Sequence, residues 1–173
     1  MAPLSVFDHL VLHPFFGDLP IDWLQRLAVH GRPVLRHPGY RLFPQDGPAD
    51  RFWLLRSGVV ALDFHVPGRG DVVIERVGAD SVVGWSWLLP QYRWTLGAVV
   101  AQDCHAVEFD AAGVRSLLGE DPDLGRELTT LFLAVMGHRL QAARHRLVEL
   151  YAYPDHPAGA SGPERDGARP SPE

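Results

Sequence analysis

Hydrophobic residues recur at helical spacing at both ends of this chain and at strand spacing between them. Leu4, Phe7, Leu10 and Val11 lie three or four apart, which predicts a helix over residues 4–13. In the following stretch, HPFFGDLPIDWLQRLAVHG, Asp18 suits a cap and Pro20 a first turn. Ile21, Leu24, Leu27 and Ala28 share one face, and Gly31 is a stop signal. From Arg32 the pattern changes to short apolar runs broken by Gly, Pro and Asp. These predict strands near residues 32–36, 41–43, 52–56, 59–66, 72–77, 95–101 and 106–110. Val66-Pro67-Gly68-Arg69-Gly70-Asp71 reads as a hairpin turn. Asp110 caps a predicted short helix reaching Leu118, and Asp121-Pro122 starts a long one. The resulting fold class is mainly β with flanking helices, an antiparallel barrel or sandwich.

The last helix carries a seam. Leu133, Met136, Leu140, Ala143, Leu147 and Leu150 step alternately by three and four, the heptad pattern of paired helices. Its first half is broader, with Leu128, Leu131, Phe132 and Val135 also apolar, which suits packing on the chain's own β layer. Its second half is narrow, set among Arg139, Arg144, Arg146 and Glu149, which suits pairing with a second copy across a twofold axis. A homodimer is therefore expected. Residues 152–173 are rich in Pro, Gly and polar residues, and a disordered tail is expected there beyond a domain spanning 1–151.

The 173 residues bury enough surface for a core without covalent staples. The single cysteine, Cys104, excludes an internal disulfide and any multi-cysteine cluster of this chain. It sits in an apolar alternating run, as an inert buried thiol would. No basic region followed by an apolar run opens the sequence, and no window nears the ~18 apolar residues of a membrane span. The expectation is a cytoplasmic protein without membrane contact. The net charge of -5 argues against nucleic acid as the main partner. Nine histidines invite a metal reading. However, no His-x-His pair occurs in the β region, His65 and His105 stand on separate strands, and His138 and His145 are a heptad apart, so no metal site is expected. Enzyme motifs and a nucleophile–base pair are missing, so no catalytic residue is assigned.

One segment resists a bland reading: VVGWSWLLPQYRW, residues 82–94, holds three of the chain's five tryptophans. Its context is a series of glycines at regular intervals. Pro38-Gly39-Tyr40-Arg41-Leu42-Phe43 is followed by Gln45-Asp46-Gly47 and Asp50-Arg51-Phe52-Trp53-Leu54-Leu55. Then come Ser57-Gly58-Val59-Val60, Val77-Gly78-Ala79-Asp80 and Val83-Gly84. From about Phe15 to Leu150 this resembles the cyclic-nucleotide-binding domain family, and within it the bacterial catabolite-activator and Fnr-type regulators. The resemblance implies a jelly-roll-like β-roll, with the long last helix as a dimer helix. It also makes the segment from Gly84 a phosphate-binding cassette, one short helix in a β wall. There the amides of Trp85, Ser86 and Trp87 and the Ser86 hydroxyl would meet an anion.

The cassette departs from the family pattern. Nucleotide-binding members carry Glu directly after the glycine, where this chain has Trp85. They carry Arg about ten residues on; Arg93 lies nine after Gly84, whereas anchoring on Ala101 puts that position near Thr95. The candidate ligand set is Gly84, Trp85, Ser86, Trp87, Arg93 and Thr95. Its ligand would be a cyclic nucleotide or another small anionic or planar molecule, with no obligatory cofactor. Loss of both charged contacts, at roughly 1.5–3 kcal/mol each, predicts altered or lost cyclic AMP recognition. Trp85 and Trp87 either fill the pocket or stack on its ligand. Regulators of this family carry a helix-turn-helix after the dimer helix, and residues 152–173 offer none, so DNA binding by this chain alone is not expected. The function implied is a stand-alone regulatory or sensor domain. It would pass repacking of residues 85–89 against the helix near residues 131–140 to an unidentified protein partner. The alternative is a dimeric adaptor whose pocket is filled by tryptophans.

Overall fold

The computed structural model describes residues 4–152. Two short helices, α1 (Val6–Leu12) and α2 (Ile21–Ala28), precede six strands, and two helices follow them. The strands are β1 (Gly31–Arg36), β2 (Arg41–Phe43), β3 (Arg51–Val66), β4 (Gly70–Val77), β5 (Val82–Val83) and β6 (Gly97–Asp110). They form one antiparallel sheet in the order β1-β6-β3-β4, with β2 added on β6 and β5 on β3. The closing helices are α3 (Ala111–Glu120) and α4 (Pro122–Ala152). This is the β-roll with flanking helices that the sequence implied.

The strands expected at 52–56 and 59–66 are one continuous β3, and those at 95–101 and 106–110 are one continuous β6. The apparent break at Ser57-Gly58 is a register irregularity within the ladder. Gly58 takes φ +90°. A Cβ there would lie 2.7 Å from the Cys104 Cα and closer still to the Asp103 carbonyl oxygen. Only glycine permits both that dihedral and that approach, so the residue that looks like a turn signal is a bulge. The hairpin at 66–71 forms as expected, with Val66 opposite Gly70.

Helix ends follow the sequence unevenly. Asp110 accepts from the amides of Ala112 and Gly113 at 3.2 Å each and starts α3. Asp121 accepts from Leu124 N–H at 3.1 Å where Pro122 opens α4. Asp18 does not cap α2: Pro20 occupies the cap position and no side chain bonds there. The cap on α1 is a reciprocal Ser5–Asp8 box that the hydrophobic spacing does not reveal. Gly31 opens β1, and α2 ends earlier, at Ala28.

The described residues divide into two units, one up to Val135 and one from Met136. In the first, β3 contributes four consecutive buried side chains, Phe52, Trp53, Leu54 and Leu55. Alternation sends Phe52 and Trp53 to opposite faces. On one face Phe52 stacks on Phe109 at 4.6 Å, and Phe132 of α4 meets Phe52 edge-on at 5.6 Å. On the other, Trp53 stacks on Phe43 of β2 at 5.4 Å. Leu133, still in this unit, is exposed. In the second unit, Leu140, Leu147 and Leu150 are exposed, Met136 and Ala143 are half-buried, and His145 faces Glu149 one turn on. Residues 153–173, where a disordered tail is expected, lie outside the described residues. Among the described residues no helix is long and apolar enough to cross a membrane.

Candidate functional site

β5 ends at Val83, and Gly84 follows with φ +88°. Trp85 follows, half-buried, and then a single 3-10 turn, Ser86–Leu88. The turn is closed by Leu88 N–H to Trp85 O and Leu89 N–H to Ser86 O, both 3.1 Å, and by Tyr92 N–H to Leu89 O at 3.0 Å. Among the described residues the amides of Trp85, Ser86 and Trp87 have no main-chain acceptor. Beyond Pro90, Gln91 and Tyr92 both take positive φ, 90° and 46°. Strain of this kind costs on the order of 1–3 kcal/mol per residue and persists only where surroundings enforce it. Here Ala49 N–H donates to Tyr92 O at 2.7 Å, Trp94 N–H to Gly47 O at 2.9 Å, and Asp46 N–H to Trp94 O at 2.9 Å.

The two flanking tryptophans go to opposite faces of β3. Trp87 is fully buried, stacked on Phe52 at 4.6 Å and edge-on to Phe132 at 5.4 Å. Its Nε1 is buried without a partner among the described residues. Trp94 is 3% exposed and stacks on Phe43 at 3.8 Å. Its ring also covers Gly84, where an added Cβ would lie 2.8 Å from the Trp94 Cη2. The glycine thus serves both the positive φ and the close approach of the indole.

The structure therefore brings Gly84, Trp85, Ser86 and Trp87 into one turn. Arg93 and Thr95 flank Trp94 and are both exposed. The side chain laid on Gly84 is Trp94, which the candidate set omits. Its signal was available: Arg93-Trp94-Thr95 alternates polar, apolar, polar, as a strand entering β6 would. Two further residues carry no local sequence signal. Arg115 of α3 donates from Nη1 to the Trp87 carbonyl at 3.0 Å, and its guanidinium lies 4.3 Å over the Tyr92 ring. The cassette turn is thereby latched to α3 as well as packed on α4.

The second is Glu108 of β6, a carboxylate buried in the sheet. Trp53 Nε1–H donates to its Oε2 at 3.0 Å, which fixes the indole that stacks on Phe43. Arg51 Nη1 and Arg32 Nε donate to Oε1 at 2.6 and 2.8 Å, and Arg36 Nη2 reaches Oε2 at 3.4 Å. Burial pushes this carboxyl up. The hydrogen bonds from Arg32, Trp53 and Arg51 outweigh that and hold it below its ordinary value of 4.5. Among the described residues no group of three or more His, Cys, Asp or Glu is placed to hold a metal ion.

Comparison with known proteins agrees with this architecture. The family profile of the cyclic nucleotide-binding domain matches residues 35–121. A CRP-like cAMP-activated global transcriptional regulator of Mycobacterium tuberculosis is 24% identical over 119 residues, covering 69% of this chain and 51% of that protein. The chain thus spans about half the length of the curated relative it matches. A Geobacter metallireducens GS-15 protein provisionally assigned as cyclic nucleotide-binding superposes with a TM-score of 0.72 at 23% identity, covering 79% of this chain and 99% of that one. The catabolite activator protein of Thermus thermophilus gives a TM-score of 0.62 at 21% identity, covering 80% of this chain and 63% of that one.

The Glu108 network has a testable acid signature. A carboxyl held below its unfolded value stabilises the fold above pH 4.5, and that contribution is lost as pH falls through the folded value. Glu108→Gln is expected to cost about 2–3 kcal/mol near neutral pH, less than the ~3–5 of a fully enclosed pair because Arg32 and Arg51 reach water. It should also flatten the acid limb of urea-unfolding curves recorded from pH 3 to 7. An unchanged acid limb contradicts this assignment.

Proposed function

The chain belongs to the cyclic nucleotide-binding domain family, and from that membership we propose that it acts as a regulatory domain whose cassette no longer takes unmodified cyclic AMP. The observation that carries this is the Trp94 ring seated on Gly84 and stacked on Phe43. A cyclic phosphate approaching the glycine from that side meets an indole instead of a cation. No acidic side chain follows Gly84 to hold a ribose hydroxyl, because Trp85 stands there. Arg93 is exposed beside the turn. The turn is also fastened at three points, Phe52, Phe132 and Arg115. A ligand shifts such a turn only through a difference in affinity between two packings.

Output runs through α4 in this account. The exposed leucines Leu133, Leu140, Leu147 and Leu150 form the seam, with Met136 and Ala143 between them, and a second copy of the chain covers them. Burying each leucine contributes about 1.5–3 kcal/mol, enough for four per chain to hold a dimer. The domain is non-enzymatic, sits in the cytoplasm and passes its state to a further protein. One observation favours a second reading, a sensor of another small anion: the Trp87 Nε1 and the amides of Trp85, Ser86 and Trp87 lack partners among the described residues.

Calorimetry with cyclic AMP and cyclic GMP tests the closed cassette. The parent is expected to give no saturable heat up to about 1 mM, an affinity of roughly -4 kcal/mol or weaker. Micromolar binding overturns the reading. For the seam, light scattering should report a dimer that Leu140→Glu with Leu147→Glu converts to a folded monomer. A parent that is monomeric at high micromolar concentration rules the seam out.

A further inference from the structure

Arg32 and Arg36 of β1 and Arg51 of β3 converge on the one carboxylate of Glu108. Guanidinium groups stay charged at any pH the fold survives. Glu108 is saturated: Oε1 accepts from Arg32 and Arg51, and Oε2 from Trp53 and Arg36. The neighbouring acid, Asp110, has both oxygens engaged with the first turn of α3. At the cavity beside them Arg32 and Arg51 balance Glu108 and Asp110 in charge, and both acids are already engaged. The arginines are also under-used. Arg51 gives one of its five N–H groups to Glu108, and Arg32 gives N–H groups from Nε and Nη2. Their side chains are 44% and 61% exposed.

Both arginines line an open cavity of about 250 Å³, walled also by Val29, His30, Gly31, Phe109 and the two engaged acids, Glu108 and Asp110. We propose that this cavity is an oxyanion site that takes a phosphoryl group, with its oxygens bridging the outer N–H groups of Arg32 and Arg51. The planar fork of a guanidinium matches two phosphate oxygens, and Glu108 holds both forks in place. Size selects the ligand class. The volume is below the roughly 300–1,000 Å³ of sites for drug-sized molecules, which suits inorganic phosphate or a small phosphorylated compound. No residue of the 84–95 cassette lines the cavity. The site is separate from the cassette and independent of what the cassette binds.

The experiment is calorimetry with inorganic phosphate against sodium chloride at equal ionic strength. Saturable binding in about the millimolar range is expected. Arg51→Gln and Arg32→Gln should each weaken it about tenfold or more, the loss of one charged hydrogen bond. Glu108→Gln should tighten it about tenfold, because one like charge beside the anion is gone. A merely structural ion-pair network predicts no such tightening. Should Glu108→Gln fail to fold, the two exposed arginine variants carry the test by themselves. Trp94→Ala should leave phosphate affinity unchanged. Heat no larger than the chloride control overturns the proposal, as do arginine variants that bind like the parent or loss of binding in Trp94→Ala.

Discussion

Two neighbouring side chains of β3, Phe52 and Trp53, point to opposite faces of the sheet, and each face holds one tryptophan of the segment 84–94. Phe52 stacks directly on Trp87, and Trp53 holds Trp94 through Phe43. Because strand alternation fixes which way Phe52 and Trp53 point, the segment is gripped across the thickness of the sheet. Its conformation therefore depends on the β ladder as much as on its own backbone. Each ring pair contributes about 0.5–1.5 kcal/mol beyond the area it buries. Together with the hydrogen bonds to residues 46–49, these pairs offset the strained dihedrals at Gln91 and Tyr92.

Glu108 extends that grip to the far edge of the sheet. Its carboxylate orients Trp53, and the arginines of β1 and β3 keep the carboxylate ionised although it is buried. A continuous series of contacts thus runs from a charged surface, through one indole and two stacked rings, to Gly84. Two of the same arginines, Arg32 and Arg51, also line the cavity beside them. At Gly84 itself the covering side chain is the Trp94 indole.

Much of this was legible in the sequence. Periodicity located all four helices and most strands, and the glycine intervals carried the family. Gly58 misled because a bulge and a turn ask the same thing of a residue, and only the pairing of β3 with β6 tells them apart. Asp18 looked like a cap, yet α2 starts with Pro20 at the cap position and without a side-chain cap. In the cassette, the family's Arg position falls at Arg93 counted from Gly84 and near Thr95 counted from Ala101. The residue that closes on Gly84 lies between them and is apolar. Arg115 and Glu108 were invisible because their partners are 28 and 55 residues away, at Trp87 and Trp53. The tryptophans left two outcomes open, filling or lining; Trp87 is buried against Phe52 and Trp85 is half-buried.

In the function proposed above, the cassette is a fixed element held by these contacts. The indole N–H resonances report on this most directly. With Trp87 and Trp94 assigned through Trp87→Phe and Trp94→Phe, two-dimensional NMR of the parent is recorded while cyclic AMP is added to about 1 mM, where only binding weaker than roughly -4 kcal/mol escapes detection. The account predicts that both resonances stay in place. A saturable shift of the Trp94 signal would show that the ring leaves Gly84 to admit the nucleotide, and would contradict it.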